Sequence, residues 1–367
     1  MRRRFASAAA GGAIAGLVLL AACGASFEPS HKVQSIRILA AAADKPYAKP
    51  GDQVTVDLLA YDGRAEQPEP MQLSWLPFVC VNPPGDLYYA CFLALLGTDA
   101  GATRIGADSS IPADAGGDAG RGISAGDIVS RLTPGTDLTP FLVKGSKFSF
   151  KIPDDIVDKH PPVQGAGEPY GLAIVFNVAC AGRVVLAEID PSKGPQQVPV
   201  ACVDKSGNPV GPNDWVFGFT RVYSYKSDTN ANPVIDGLTF DGKPVDLAKG
   251  IVVERCKADK TRDCEEHKLD TKVPPSSWEE SRIGVKPGDP PRHEQIWVSY
   301  YMTTGDVSDG ARLLYDVNQG AVSETETKFQ SPGFPIEGTM WAVVRDNRGG
   351  TSWRQFPLKV QEDKPAE

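Results

Sequence analysis

Apolar residues in this chain recur at every second position and almost nowhere at the three-and-four spacing of a helix. From Gln53 to Tyr61, Val54, Val56 and Leu58 fall on one side, and Thr55, Asp57 and Leu59 on the other. A period of two belongs to pleated strands, whose side chains alternate between two faces. The same pattern marks Gln34 to Ala40, Gln72 to Leu76, Lys147 to Ile152, Tyr170 to Cys180, Arg183 to Ile189 and Trp215 to Tyr225. In the third segment of the series Trp75 is an aromatic large enough to plug a core. Lys49-Pro50-Gly51-Asp52 is a turn, because Pro presets φ and Gly accepts positive φ. Strands with turns between them and no helical crossovers imply an all-β fold of antiparallel sheets stacked as a sandwich.

The pattern is interrupted twice. From about 97 to 135 the chain is mostly Gly, Ala, Asp, Ser and Thr, which cannot bury enough apolar surface to offset its ordering entropy. That stretch is expected to be a flexible insertion, with room for one short helix near Ala125 to Leu132. Residues 227–233, Ser-Asp-Thr-Asn-Ala-Asn-Pro, lack alternation and end in a turn-favouring Asn-Pro, so a linker is expected there. Strand signals resume at Val234 to Phe240, Gly250 to Glu254, Gln295 to Thr303, Arg312 to Val317, Thr339 to Arg345 and Ser352 to Val360. Proline-rich Lys272 to Trp278 and Gly284 to Arg292 are expected to be irregular. The chain therefore divides into a first domain over 33–226, a linker over 227–233, a second domain over 234–361 and a tail over 362–367.

The N-terminus carries an address. Arg2, Arg3 and Arg4 precede an uncharged, small and apolar run from Phe5 to Leu20, then Leu20-Ala21-Ala22-Cys23. A basic start, a short apolar run and small residues before a cleavage point make a secretory signal over 1–22, and the run is too short for a membrane span. The cysteine at the end resembles the lipobox of bacterial lipoproteins. That resemblance implies cleavage before Cys23, a diacylglycerol on its thiol and a further acyl chain on its amine, with residues 23–32 as anchor and tether. Two or more chains give stable membrane attachment where one does not. Gly24 at the next position, where an Asp retains such proteins at the inner membrane, implies the outer membrane.

Charge and cysteines agree with export. The whole chain has a formal charge of −8, and removal of three arginines leaves the mature protein near −11. An acidic surface disfavours nucleic acid as a partner. Beyond Cys23 six cysteines remain: Cys80, Cys91, Cys180, Cys202, Cys256 and Cys264. An even number in an exported chain reads as a disulfide framework, though six cysteines allow about 15 pairings. Proximity suggests Cys80–Cys91, Cys180–Cys202 and Cys256–Cys264. Ligation of a metal by Cys256, Cys264 and His267 competes for the last pair, but no pair has the C-x2-C spacing of zinc sites.

Chemistry is sparse. Gly122-Ile123-Ser124-Ala125-Gly126 matches the G-x-S-x-G of hydrolases, yet the Gly- and Asp-rich residues before it cannot form the buried strand that such an elbow needs. His160, His267 and His293 read as polar loop positions. Asp306, Asp309 and Asp316, or Asp114 and Asp118, lack calcium-loop spacing. No metalloprotease, phosphate-loop or dinucleotide motif occurs. A non-catalytic protein without cofactor or bound metal is expected. Aromatics are the remaining lead: Trp215, Phe217, Phe219, Tyr223 and Tyr225 share one parity, as either a core face or a binding stripe. Tyr88, Tyr89 and Phe92 lie around Cys91, as either a stapled binding tip or a cap on the first sandwich.

Tyr47-Ala48-Lys49-Pro50-Gly51-Asp52-Gln53-Val54-Thr55-Val56 resembles the opening strands of bacterial immunoglobulin-like domains. Trp341-Ala342-Val343-Val344-Arg345-Asp346-Asn347-Arg348-Gly349-Gly350 resembles their last hairpin. The lipobox, Trp215 to Tyr225 and the Asn-rich junction before Pro233 together resemble surface lipoproteins of myxobacterial type, and the resemblances taken together imply two immunoglobulin-like sandwiches on a lipid anchor. Two roles follow as expectations. One is recognition, adhesion or envelope assembly, with an envelope protein as partner; the other is a glycan-binding or carbohydrate-active accessory role, with Trp215, Tyr88 and Tyr89 as the platform.

Overall fold

The computed structural model describes residues 28–95, 133–161, 168–194, 196–258, 263–281, 283–285 and 288–362. The expected signal segment, Cys23, most of the expected insertion and Ser124 lie outside the described residues. Within them the chain is built from antiparallel sheets arranged as two sandwiches that share no strand.

In the first sandwich, one sheet joins β1 (Ile36–Ala43), β3 (Gln53–Asp62) and β6 (Lys147–Lys151) in that order. The facing sheet runs β2 (Tyr47–Ala48), β10 (Trp215–Tyr225), β7 (Tyr170–Cys180), β4 (Gln72–Val81) and β5 (Val143–Lys144). The chain crosses from the first sheet to the second between β1 and β2, and β2 then pairs in parallel with β10. The Pro50-Gly51 turn makes the corner into β3, with Gly51 at φ +85° and the Asp52 amide donating to the Lys49 carbonyl at 3.0 Å.

The second sandwich repeats this plan. One sheet orders β11 (Gly237–Phe240), β14 (His267–Lys272), β21 (Thr327–Gln330) and β18 (Asp306–Val307), with β12 (Lys243–Pro244) on its outer edge. The other runs β13 (Ile251–Glu254), β23 (Thr351–Gln361), β22 (Ile336–Asp346), β17 (Ile296–Met302), β19 (Ala311–Asp316) and β20 (Gly320–Ala321). Here β13 is the strand that pairs in parallel with the last one. Gly250 leads into it at φ +72°, where a β-carbon would stand 1.9 Å from the Pro357 carbonyl oxygen. No side chain fits that approach. Both are sandwiches of mainly antiparallel sheets, each with one parallel pair at an edge.

Each sandwich buries its own core. Val54, Val56 and Leu58 meet Trp75, Val175 and Val222 between the sheets of the first. Trp75 is fully buried and stacks on Phe148 at 5.5 Å, so the aromatic plug is where the alternation puts it. The other face of the first sandwich's larger sheet is also covered. Phe176, Val178 and Ile174 on β7 pack under α1 (Ala90–Leu95) and the hairpin of β8 (Arg183–Leu186) and β9 (Val200–Val203). Both layers are stapled to the sheet, by Cys80–Cys91 and Cys180–Cys202, while Cys256–Cys264 closes a loop of the second sandwich. These are the three pairs that sequence proximity suggests. Cys256 and Cys264 are bonded to each other and not to a metal, and His267 instead begins β14 with its Nδ1 2.8 Å from Asp241.

The sandwiches pack side by side. Along β22, Met340, Ala342 and Val344 point into the second core, while Trp341 and Val343 point out and are nonetheless fully buried. They press against Val33, Leu39, Ala40 and Leu59, with Tyr61 edge-on to Trp341 at 4.7 Å. Burial of both faces is why β22 lacks a polar side. Asn232, from the expected linker, donates to the Ala43 carbonyl and accepts from the Thr351 amide, both at 2.8 Å. Residues 227–233 thus hydrogen-bond to both sandwiches.

Candidate functional site

Two places concentrate unusual side chains. The first is the aromatic face of β10. Its odd positions, Trp215, Phe217, Phe219 and Tyr223, are half-buried against the core under α1. Tyr88 stacks on Phe219 at 4.5 Å, and the Arg221 guanidinium lies 4.9 Å from the centre of the same ring. Tyr89 stands edge-on to Tyr88 at 5.6 Å. Trp215 begins β10, paired with Cys180 and four residues from Phe219 on the same face of the strand. A sugar platform requires a free ring face, and Phe219 has Tyr88 and Arg221 upon it.

The tip is held by polar groups that the sequence does not announce. Asp86 adopts φ +59°, a left-handed conformation that Asp tolerates better than most residues. Its carboxylate bonds His160 Nε2 at 2.9 Å and accepts from the Tyr170 hydroxyl. His160, expected in a polar loop, is nearly buried and lies 4.4 Å from the Tyr170 ring. Asn82 stitches the base: its amide donates to the Ile156 carbonyl at 2.7 Å and accepts from the Leu172 amide at 2.8 Å. Beyond these anchors Leu87 projects, 41% exposed.

The second place lies in the turn of the β22–β23 hairpin. Asp346 Oδ1 accepts from the amides of Arg348 at 2.7 Å and Gly350 at 2.8 Å, which folds the turn. The Arg348 side chain, 7% exposed, then reaches inward. Its Nε meets Glu294 at 2.9 Å, one Nη meets Glu279 at 2.9 Å and the other donates to the Thr229 carbonyl at 3.2 Å. Its guanidinium also lies 5.5 Å from the Tyr47 ring of the first sandwich. One cation therefore touches the hairpin, the inter-sandwich segment and the neighbouring sandwich.

Electrostatics follow from that crowding. Burial, reinforced by the nearby Asp346 carboxylate, pushes Glu294 up to about 7 despite its bond to Arg348. Burial likewise raises Asp346 against the pull of its amide donors. Burial alone would weaken the charge on Arg348, but Glu294 beside it outweighs that and holds the guanidinium more firmly protonated. A single guanidinium shared between two carboxylates, with a third close by, satisfies itself more fully than it satisfies each of them.

Among the described residues no group of three His, Cys, Asp or Glu converges as a metal site. Asp306 binds His31 and Lys32, Asp309 binds Arg312, and Asp316 accepts from the amides of its own turn. His293, also expected in a loop, lies in the short strand β16 (Arg292–His293), which pairs with β15 (Glu280–Ser281), and stacks on Trp278 at 3.6 Å. The three disulfides point to an oxidising compartment outside the cytoplasm. Among the described residues no helix is long and apolar enough to cross a membrane.

No family model and no curated protein matches the chain. Among solved structures it is similar to dimeric latent PorU from Porphyromonas gingivalis, at 10% identity and a TM-score of 0.19. That likeness covers 91% of this chain and 25% of PorU, so the chain spans a quarter of that protein's length. At this score nothing of PorU transfers.

Proposed function

We propose that this protein is an exported lipoprotein, held on the outer membrane through Cys23, whose paired sandwiches recognise another envelope component without catalysis. The observation that carries the reading is the use made of the ionic cluster around Arg348. Arg348 and Glu294 have side chains 7% and 0% exposed, and their charges close on one another and on the seam. Groups so enclosed fix the relation of two modules; they do not meet a substrate. A rigid pair of sandwiches, with a stapled tip bearing exposed Leu87 beside half-buried Tyr88 and Tyr89, suits recognition of a protein surface. A glycan-binding role fits less well, since Tyr88 stacks on Phe219 and Tyr89 stands edge-on to Tyr88.

The test compares wild type with Cys23→Ser in fractionated cells, with a photo-crosslinking residue placed at position 87. Wild type is expected in the membrane fraction with a protein adduct at 87, and Cys23→Ser in the soluble fraction. Full membrane retention of Cys23→Ser contradicts the anchor. Adducts of glycan alone contradict the protein partner.

A further inference from the structure

The first described residues do not trail from the end of a sandwich. The Lys32 amide closes a turn on the Pro29 carbonyl at 2.9 Å, and Met302, the last residue of β17, brackets the strap. The Met302 amide donates to the His31 carbonyl at 2.8 Å, and the Val33 amide donates to the Met302 carbonyl at 2.9 Å. Asp306 binds His31 Nε2 at 2.6 Å and Lys32 Nζ at 2.9 Å. Burial opposes the charge on Asp306, but hydrogen bonds from Lys32 and His31 outweigh it and hold the carboxyl below its ordinary value. Glu28 accepts from the Ser35 hydroxyl at 2.8 Å, and Val33 is buried in the seam.

The pinned strap marks one pole of the whole molecule. Pairing places Ile36 opposite Asp62, and Trp215 opposite Cys180, at that same end of the first sandwich. The Ile36 amide bonds the Asn213 carbonyl there, and Arg64 bridges Asp62 and Asp214. In the second sandwich β17 and β23 both end at this pole. At the other pole lie Tyr225, Tyr170, the helix α2 (Ile156–Lys159) and Asp86. Ten steps along β10 at about 3.3 Å each separate the two poles by roughly 33 Å.

From Cys23 to Glu28 is five residue steps, which span at most about 18 Å when fully extended. That reach is shorter than the strands. We infer that the pole built from Met302, Asp306 and Arg64 faces the bilayer, with strands upright and the stapled tip at Leu87 held on the far side. This rests on the reading of Cys23 as the lipid attachment. The two sandwiches, packed side by side, stand together on the surface, so the tip is presented outward and the strap pole is occupied by lipid.

The experiment uses the acylated full chain reconstituted in phosphatidylcholine vesicles that carry a headgroup energy acceptor. A donor dye is attached at Lys205→Cys near the strap pole or at Lys159→Cys on α2, both side chains exposed. The expected result is a greater loss of donor emission at 205 than at 159. Equal loss, or a greater loss at 159, overturns the orientation while leaving the anchor standing. Protein that does not float with the vesicles overturns the anchor and the orientation with it. In a Lys32→Ala/Asp306→Asn background, with near-ultraviolet dichroism unchanged, the difference between the sites should shrink; a difference that persists undiminished refutes the strap as its cause.

Discussion

Arg348 occupies a turn that reads in sequence as an ordinary polar hairpin end. The Asp346-to-Gly350 turn is legible, because Asp before Gly-Gly caps its own amides. The inward course of the guanidinium is not, since what buries it comes from Thr229, Glu279, Glu294 and Tyr47, far apart in the chain. Replacing it by Ala strands buried carboxylates, and Arg348→Ala is expected to lower stability by about 3 kcal/mol in urea denaturation. Glu294 gives a pH signature. Folded, it holds its proton up to about 7, whereas its ordinary value is 4.5. Between these pH values the folded state binds the extra proton, so this residue's contribution to stability falls as pH rises. Glu294→Gln should flatten that part of the stability profile, read as unfolding midpoints from pH 4.5 to 7. An unchanged slope places the titration elsewhere. The roles of His160 and His293 were hidden for a related reason: each depends on a distant partner, Asp86 in one case and Trp278 in the other.

At the level of elements, strands with clean alternation were readable and polar ones were not. β3 has the expected facing, and Trp75 on β4 fills the core. Missing from the sequence reading are β14 (HKLDTK) and β21 (TKFQ), which sit side by side in one sheet. They bury polar groups: Asp270 bonds Thr325 and Lys272, and Thr327 bonds the Asp309 carbonyl. Such strands look like loops until those partners are in place. The short strand β9 was missed as well, and it is held to β7 by Cys180–Cys202. Removing that bridge in Cys180→Ser/Cys202→Ser is expected to cost about 3 kcal/mol from loop-closure entropy. Equilibrium unfolding of the oxidised double variant against wild type measures it, and a loss near zero shows that the β8–β9 layer is held by packing alone.

For the whole molecule the seam decides behaviour. Residues 227–233 read as a polar linker between domains, and within it Asn230 and Asn232 bond to the hairpin turn and to both sandwiches. Trp341 and Val343 complete an apolar contact that alternation could not predict, because a strand buried on both faces carries no period. The two sandwiches are therefore expected to unfold in one cooperative transition, with calorimetric and van't Hoff enthalpies equal. Val343→Glu places a charge in the seam and should split the transition in two. Trp341→Ala, which empties the same seam, should cost about 3–5 kcal/mol. The direct test of the central proposal is the mass of the N-terminal peptide of protein taken from its native membrane. The predicted peptide begins at Cys23 and carries a diacylglyceryl thioether with an acylated amine. A peptide that begins at Met1, or a Cys23 with no lipid, contradicts the account.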